Sequence, residues 1–119
     1  MSIHIHLILR SETNNLSDII RDFKKFTSSK LVEAIETNQK ESRRNWLLWL
    51  LKKDDKIWFG EEGYHGVEIT SLDFFETKLD YIHLNPVRAK IVERAEDYYY
   101  SSCADYLGTR KGILDLEFI

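Results

Sequence analysis

Cysteine and proline each occur once in this 119-residue sequence, and apolar residues never form a long run. The single cysteine, Cys103, excludes an internal disulfide and a zinc site with several thiolate ligands, which fits a reducing compartment. The longest apolar stretch, residues 46–51, is far shorter than the roughly 20 residues that a membrane span needs. The N-terminus lacks the basic segment and apolar run of a secretory signal. We therefore expect one domain, residues 1–119, that works in the cytoplasm without membrane contact.

An excess of positive charge is also missing, since the formal net charge is −3. Contacts to a DNA backbone, however, need basic residues in one place and not a basic average. One local basic cluster consists of Arg21, Lys24, Lys25 and Lys30. This cluster predicts a DNA-binding face, although such stretches are more often ordinary solvated helix faces.

The periodicity of the apolar residues predicts both strands and helices. Residues 3–10 alternate with period two, which indicates a β-strand with His4 and His6 on one face. Helical spacing follows over residues 16–35 and 43–53, and again from a capping box that begins at Thr70. Asn85-Pro86 is expected to stop or restart this last helix, because the residue before a proline is pushed out of the α region. The sequence thus predicts an α+β domain, with part of a small antiparallel sheet covered by helices on one face.

Two sets of residues are candidates for chemistry. Imidazoles at positions 4 and 6 of one strand face can bind a single divalent metal ion, although the His-x-His spacing by itself more often belongs to two surface histidines. Tyr81 and Asn85 lie four residues apart on the predicted helix and so share a face, opposite its apolar stripe. A tyrosine hydroxyl placed there can attack a phosphodiester to give a covalent phosphotyrosine. Tyr81 is also compatible with a packing role, and Asn85 with capping the Pro86 turn.

Four segments carry a family resemblance: MSIHIHLIL, LSDIIRDFKKFTSSKL, YIHLNPVRAKIVE and EDYYYSSCADYLG. With them the chain resembles the HUH-class tyrosine transposases of small bacterial insertion sequences, especially the REP-associated type. The segments occur in the family's order and cover most of the chain. The resemblance implies that His4 and His6 bind the metal ion, that Asn85 supplies a third ligand, and that Tyr81 is the nucleophile, which becomes linked to the 5′ phosphate of the cut strand.

The same resemblance implies the wider properties of the protein. Such enzymes use Mg²⁺ or Mn²⁺, need no nucleotide cofactor, act on single-stranded hairpin ends and usually work as homodimers. Their fold is a small ferredoxin-like antiparallel sheet with helices. Imidazole ligands by themselves would not indicate Mg²⁺, so the identity of the metal depends on the family alone.

Two departures from the family pattern stand out. The family places the histidine pair well inside the chain, whereas here the pair lies three residues after Met1, so the resemblance implies that about a third of the family's domain is absent. We expect either a decayed gene or a start assigned too late, and a histidine strand that lacks neighbours on at least one edge. Lys90 also replaces the glycine that usually follows the segment NPVRA.

Three functions therefore stay open at the level of sequence. The first is a transposase that cleaves and rejoins single-stranded DNA through Tyr81. The second is a catalytically inactive remnant that still binds DNA hairpins through its basic helix and aromatic segments. The third is a metal-dependent hydrolase that uses the histidines and leaves Tyr81 without a role. A covalent protein–DNA adduct would distinguish all three.

Overall fold

The computed structural model describes residues 5–53, 56–57 and 66–118, and the chain divides into two compact units. One unit combines Met1–Ile8 with Val67–Ile119, and the other is Leu9–Gly66. No helix in the described ranges is long and apolar enough to cross a membrane.

The unit Leu9–Gly66 consists mainly of two helices, α1 (Leu16–Thr37) and α2 (Arg44–Leu51). As predicted, α1 continues without a break through Val32, whose side chain is only 4% exposed. Strand β1 (Lys52–Lys53) follows α2 and pairs antiparallel with β2 (Lys56–Ile57), a ladder of only two residues in each strand. The helices pack on each other, but the large side chains of α2 stay about half exposed or more, among them Trp46, Trp49 and Leu50.

The other unit is built around α3 (Leu72–Arg88), a 3₁₀ turn (Ala95–Asp97) and the short α4 (Cys103–Leu107). Both α3 and α4 pack against the 3₁₀ turn. Its small core contains side chains from both helices, namely His83, Pro86, Cys103 and Ala104. The segment of this unit that matters most for the site is residues 5–8, which lies far away in sequence from the helices.

Helix α3 begins and ends at other residues than the sequence indicates. Its N-cap is Ser71 and not Thr70, because the extended backbone of Ser71 lets its Oγ accept a hydrogen bond from Phe74 N at 3.1 Å. The helix also continues through Asn85-Pro86 instead of stopping there, so Arg88 lies on the same helix as Tyr81. Pro86 has no N–H to donate, but the backbone around it still follows the helix, and its carbonyl accepts from Ile91 N at 2.9 Å.

The predicted α+β fold is wrong, since the regular structure of the described residues is helical apart from the two-residue ladder. Residues 5–10, the described part of the predicted histidine strand, pair with no other strand in the described ranges. Alternation makes a segment suitable for a sheet, but a sheet also needs a neighbouring strand to accept its backbone hydrogen bonds. Ile5 and Leu7 are accordingly 74% and 49% exposed and form no buried sheet face.

The backbone conformation at Lys90 favours glycine at this position. Lys90 follows α3 with a φ of 59°, in a Schellman-type ending where Ile91 N bonds to Pro86 O and Lys90 N to Val87 O. A residue with a Cβ is disfavoured by roughly 1–2 kcal/mol in this left-handed region.

We therefore expect Lys90→Gly to raise the free energy of unfolding by about 1 kcal/mol, measured by urea denaturation. Lys90→Ala is the matched control, because it removes the same side chain but keeps the Cβ, and it should bring no such gain. An equal gain in both variants would mean that the lysine side chain, and not the backbone conformation, destabilises the parent protein.

Candidate functional site

Three of the predicted site residues come together within one compact unit. Tyr81 and Asn85 lie one turn apart on α3, and the segment that carries His6 lies against them. His6 Nε2 is 3.5 Å from Asn85 Nδ2, and the centroids of the His6 and Tyr81 rings are 6.1 Å apart with an interplanar angle of 85°. His6 thus contacts helix α3, although 79 residues of sequence separate it from Asn85.

Tyr81 is accessible to a ligand. Its side chain is 48% exposed, and no described residue hydrogen-bonds to its hydroxyl. The ring is nevertheless held in place, because the His6 ring packs edge-on against it and the Arg88 guanidinium lies over it at 5.2 Å from the centroid. A fixed ring with a free hydroxyl suits a nucleophile that must approach a phosphorus atom from a defined direction.

The side chains of His6 and Asn85 lie close enough together to be two ligands of one divalent metal ion. Two ligands at about 2.1 Å from one ion, at right angles, are about 3 Å apart, close to the 3.5 Å between the His6 and Asn85 side chains. A half-turn of the Asn85 amide would present its oxygen, the atom that hard cations prefer. His4, the third predicted ligand, lies outside the described residues. Nowhere in the described chain, this site included, does a group of three or more His, Cys, Asp and Glu side chains lie close enough together to hold a metal ion.

The back of α3 is fixed by a second histidine, His83. This residue is 7% exposed, its Nε2 lies 2.8 Å from Ser102 Oγ, and its ring packs against Tyr106 with centroids 5.4 Å apart. Burial lowers the pKa of His83, and the nearby Asp80 carboxylate offsets part of that effect. A neutral His83 therefore joins α3 to α4 and helps to keep the opposite face of the helix, with Tyr81 and Asn85, toward the solvent.

The predicted DNA-binding residues all lie on α1, and Arg21 and Lys30 are engaged there in ion pairs. Arg21 pairs with Asp18 at 2.9 Å and with Asp22 at 3.2 Å, and Lys30 pairs with Glu33 at 3.2 Å. Lys25 is exposed, and Lys24 is half-buried. The apolar residues at helical spacing on this helix are themselves largely exposed, as shown by Ile19, Phe23 and Phe26 at 43%, 44% and 64%.

One residue of the site, Arg88, was not predicted from the sequence. Its spacing from Tyr81 (seven residues) and from Asn85 (three residues) would have placed it on the same helix face. The predicted stop or restart of the helix at Asn85-Pro86 separated Arg88 from this face. Lys78, on the same helix, lies over the Phe74 ring at 5.3 Å from its centroid.

Comparisons with known proteins do not add to this picture: no protein-family model, no curated protein and no solved structure matches the chain.

Proposed function

We propose that the protein is a metal-dependent tyrosine transposase that cleaves and rejoins single-stranded DNA in the cytoplasm, most effectively at hairpin ends and as a homodimer. The observation that carries the proposal is the meeting of His6, Tyr81 and Asn85 on one exposed surface. These residues come from the two segments of the sequence that most resemble the HUH-class transposases. The contact between His6 and Asn85 spans 79 residues of sequence, so it does not follow from the repeat of a helix or a strand.

The proposed reaction is a nucleophilic attack by the Tyr81 phenol, which lies next to positive charges, on a phosphodiester. The Tyr81 oxygen attacks the phosphorus of a phosphodiester, its proton passes to water, and a bond forms between tyrosine and phosphate. The bond from phosphorus to the 3′ oxygen breaks, and that oxygen leaves and takes up a proton. Rejoining is the reverse step, in which a 3′ hydroxyl attacks the phosphotyrosine and releases Tyr81. No energy source is consumed, because one phosphodiester bond is exchanged for another.

The metal ion would be held by His6 and Asn85, with His4 as the ligand that the sequence predicts. Mg²⁺ or Mn²⁺ at this place would withdraw charge from the phosphoryl oxygens as the tyrosine attacks. The His6 ring has a second task that needs no metal, because its edge-on contact limits the rotation of the Tyr81 ring. The proximity of His6 and Tyr81 in a single chain supports attack in cis, without a tyrosine from a partner subunit.

The helix α1 supplies the proposed surface for the DNA backbone through Arg21, Lys24, Lys25 and Lys30. We expect Lys24→Glu/Lys25→Glu to weaken binding of a DNA hairpin and to make it less dependent on salt. Each lost phosphate contact should lower the slope of log affinity against log salt by about 0.7–0.9, because fewer counterions are released. Fluorescence anisotropy at several salt concentrations measures both quantities.

The matched control is Lys40→Glu/Lys111→Glu, which changes the net charge equally at two other exposed lysines. It should change the slope little. If both double variants lose the same affinity, the effect belongs to the charge of the whole protein and not to a binding face on α1.

The proposed function itself is tested by trapping the covalent intermediate. The protein is mixed with a labelled single-stranded hairpin and Mn²⁺, and a slow-migrating adduct that survives denaturation is expected. Mass spectrometry of the proteolysed adduct should place the nucleotide on the peptide that contains Tyr81. Hairpin binding without any adduct would instead favour the non-catalytic DNA-binding alternative, and metal-dependent DNA cleavage without an adduct would favour a hydrolase.

A further inference from the structure

We infer that Arg88 is a phosphate-binding residue of the site formed by His6, Tyr81 and Asn85, and that it takes a backbone phosphate of single-stranded DNA. The inference rests on the proposed function for the nature of the ligand. The structure provides the position of the guanidinium and shows that no described acidic side chain pairs with it.

The position of Arg88 follows from the continuity of α3 through Pro86. Residues three and seven positions apart on a helix lie on one face, so Tyr81, Asn85 and Arg88 form a line along the exposed side. The guanidinium reaches back over the Tyr81 ring, with its central carbon 5.2 Å from the ring centroid. A phosphate bound at the Tyr81 hydroxyl would therefore lie within reach of the Arg88 guanidinium.

The charge of Arg88 is not engaged by an acidic partner. Among the described residues no carboxylate pairs with it, whereas Arg21, Arg43 and Arg94 all pair with nearby acids. The contact with Tyr81 uses the flat face of the guanidinium and leaves the N–H groups in its plane free. Five donors in a rigid fork match the oxygens of a phosphate, and stacking fixes the fork before the ligand arrives.

An ordinary explanation for Arg88 also exists, because a basic residue in the last turn of a helix stabilises the partial negative charge there. That role needs only a positive charge, so lysine would serve as well as arginine. Phosphate binding through the fork needs the guanidinium itself. Arg88→Lys therefore separates the two explanations, and Arg88→Ala removes both contributions.

The test begins in a Tyr81→Phe background, where no bond is made and binding alone is measured. Arg88→Ala should lower the salt slope of single-stranded DNA binding by about 0.7, the value of one phosphate contact. Arg88→Lys should keep most of the slope. With Tyr81 restored, both variants should form the covalent adduct at least about tenfold more slowly than the parent. The matched control is Arg94→Ala, whose guanidinium already binds Asp97 through two 3.1 Å hydrogen bonds, and it should change neither quantity.

Several results would overturn the inference. They are an unchanged slope and rate in Arg88→Ala, equal losses in Arg88→Ala and Arg94→Ala, or full activity in Arg88→Lys. Failure of the proposed function has a different signature. If Tyr81→Phe still forms the adduct while Arg88→Ala loses its slope, the phosphate site stands and the nucleophile is wrong. Absence of any single-stranded DNA binding by the parent would overturn both.

Discussion

Substitution of Tyr81 by phenylalanine is expected to abolish the covalent protein–DNA adduct while leaving the fold unchanged. The variant removes only the attacking oxygen, and no described residue depends on that oxygen for a hydrogen bond. The contacts of the ring with His6 and Arg88 stay, so the melting temperature should shift little. Loss of a nucleophile that forms the intermediate should reduce adduct formation by at least about 10³-fold, which is below detection in a gel assay.

The matched control is Tyr100→Phe. Tyr100 is 75% exposed, and its ring contacts are with Tyr98 and Tyr99, so it tests whether any accessible tyrosine can react. This variant should form the adduct at the rate of the parent. An adduct that persists in Tyr81→Phe would show that another tyrosine, such as Tyr98 or Tyr106, carries out the chemistry and that the site has been assigned wrongly.

Loss of either described metal ligand is expected to have the second-largest effect. His6→Ala and Asn85→Ala should each slow Mn²⁺-dependent adduct formation by about 10²–10³-fold, since a metal ion contributes several kcal/mol to stabilising charge on a phosphoryl group. Higher Mn²⁺ concentrations should recover part of the rate, and EDTA should stop the parent altogether. Mn²⁺ binding itself is measured by electron paramagnetic resonance, without any DNA present.

Asn38→Ala provides the control for the amide. Asn38 lies at the end of α1, in the other unit, and its side chain caps only the Lys40 N–H at 3.1 Å. This variant should keep both metal binding and rate. If His6→Ala and Asn85→Ala bind Mn²⁺ as tightly as the parent, then the contact between these side chains is structural and the metal, if one is used, is held elsewhere.

The three longer helices, α1 to α3, could be predicted in outline, because each has its own local pattern, whereas the short α4 was not predicted. The run from Leu16 past Val32 repeats apolar residues at helical spacing, and it folds as one helix. The sheet could not be predicted in the same way. Alternation over residues 3–10 describes one strand, but pairing depends on a second strand at the right place, which the described part of the chain does not provide.

The ends of α3 show a second limit of local rules. A proline favours a helix boundary but does not impose one, and the bonds around Pro86 let the helix run to Arg88. Ser71 and Thr70 are both able to cap a helix, and only the backbone angles decide which of them does. Because the helix was ended too early, Arg88 was lost from the predicted site.

The sequence by itself determined that Tyr81 and Asn85 lie together, because four residues make about one turn of any helix. It also determined that His6 belongs to a segment that is not helical and that lies far from Tyr81 in the chain. Only the tertiary structure decided that His6 reaches Asn85 and Tyr81 and that Arg88 covers the tyrosine ring. Contacts within a helix are fixed by its repeat, whereas contacts across 79 residues depend on how the whole unit packs around His83 and α4.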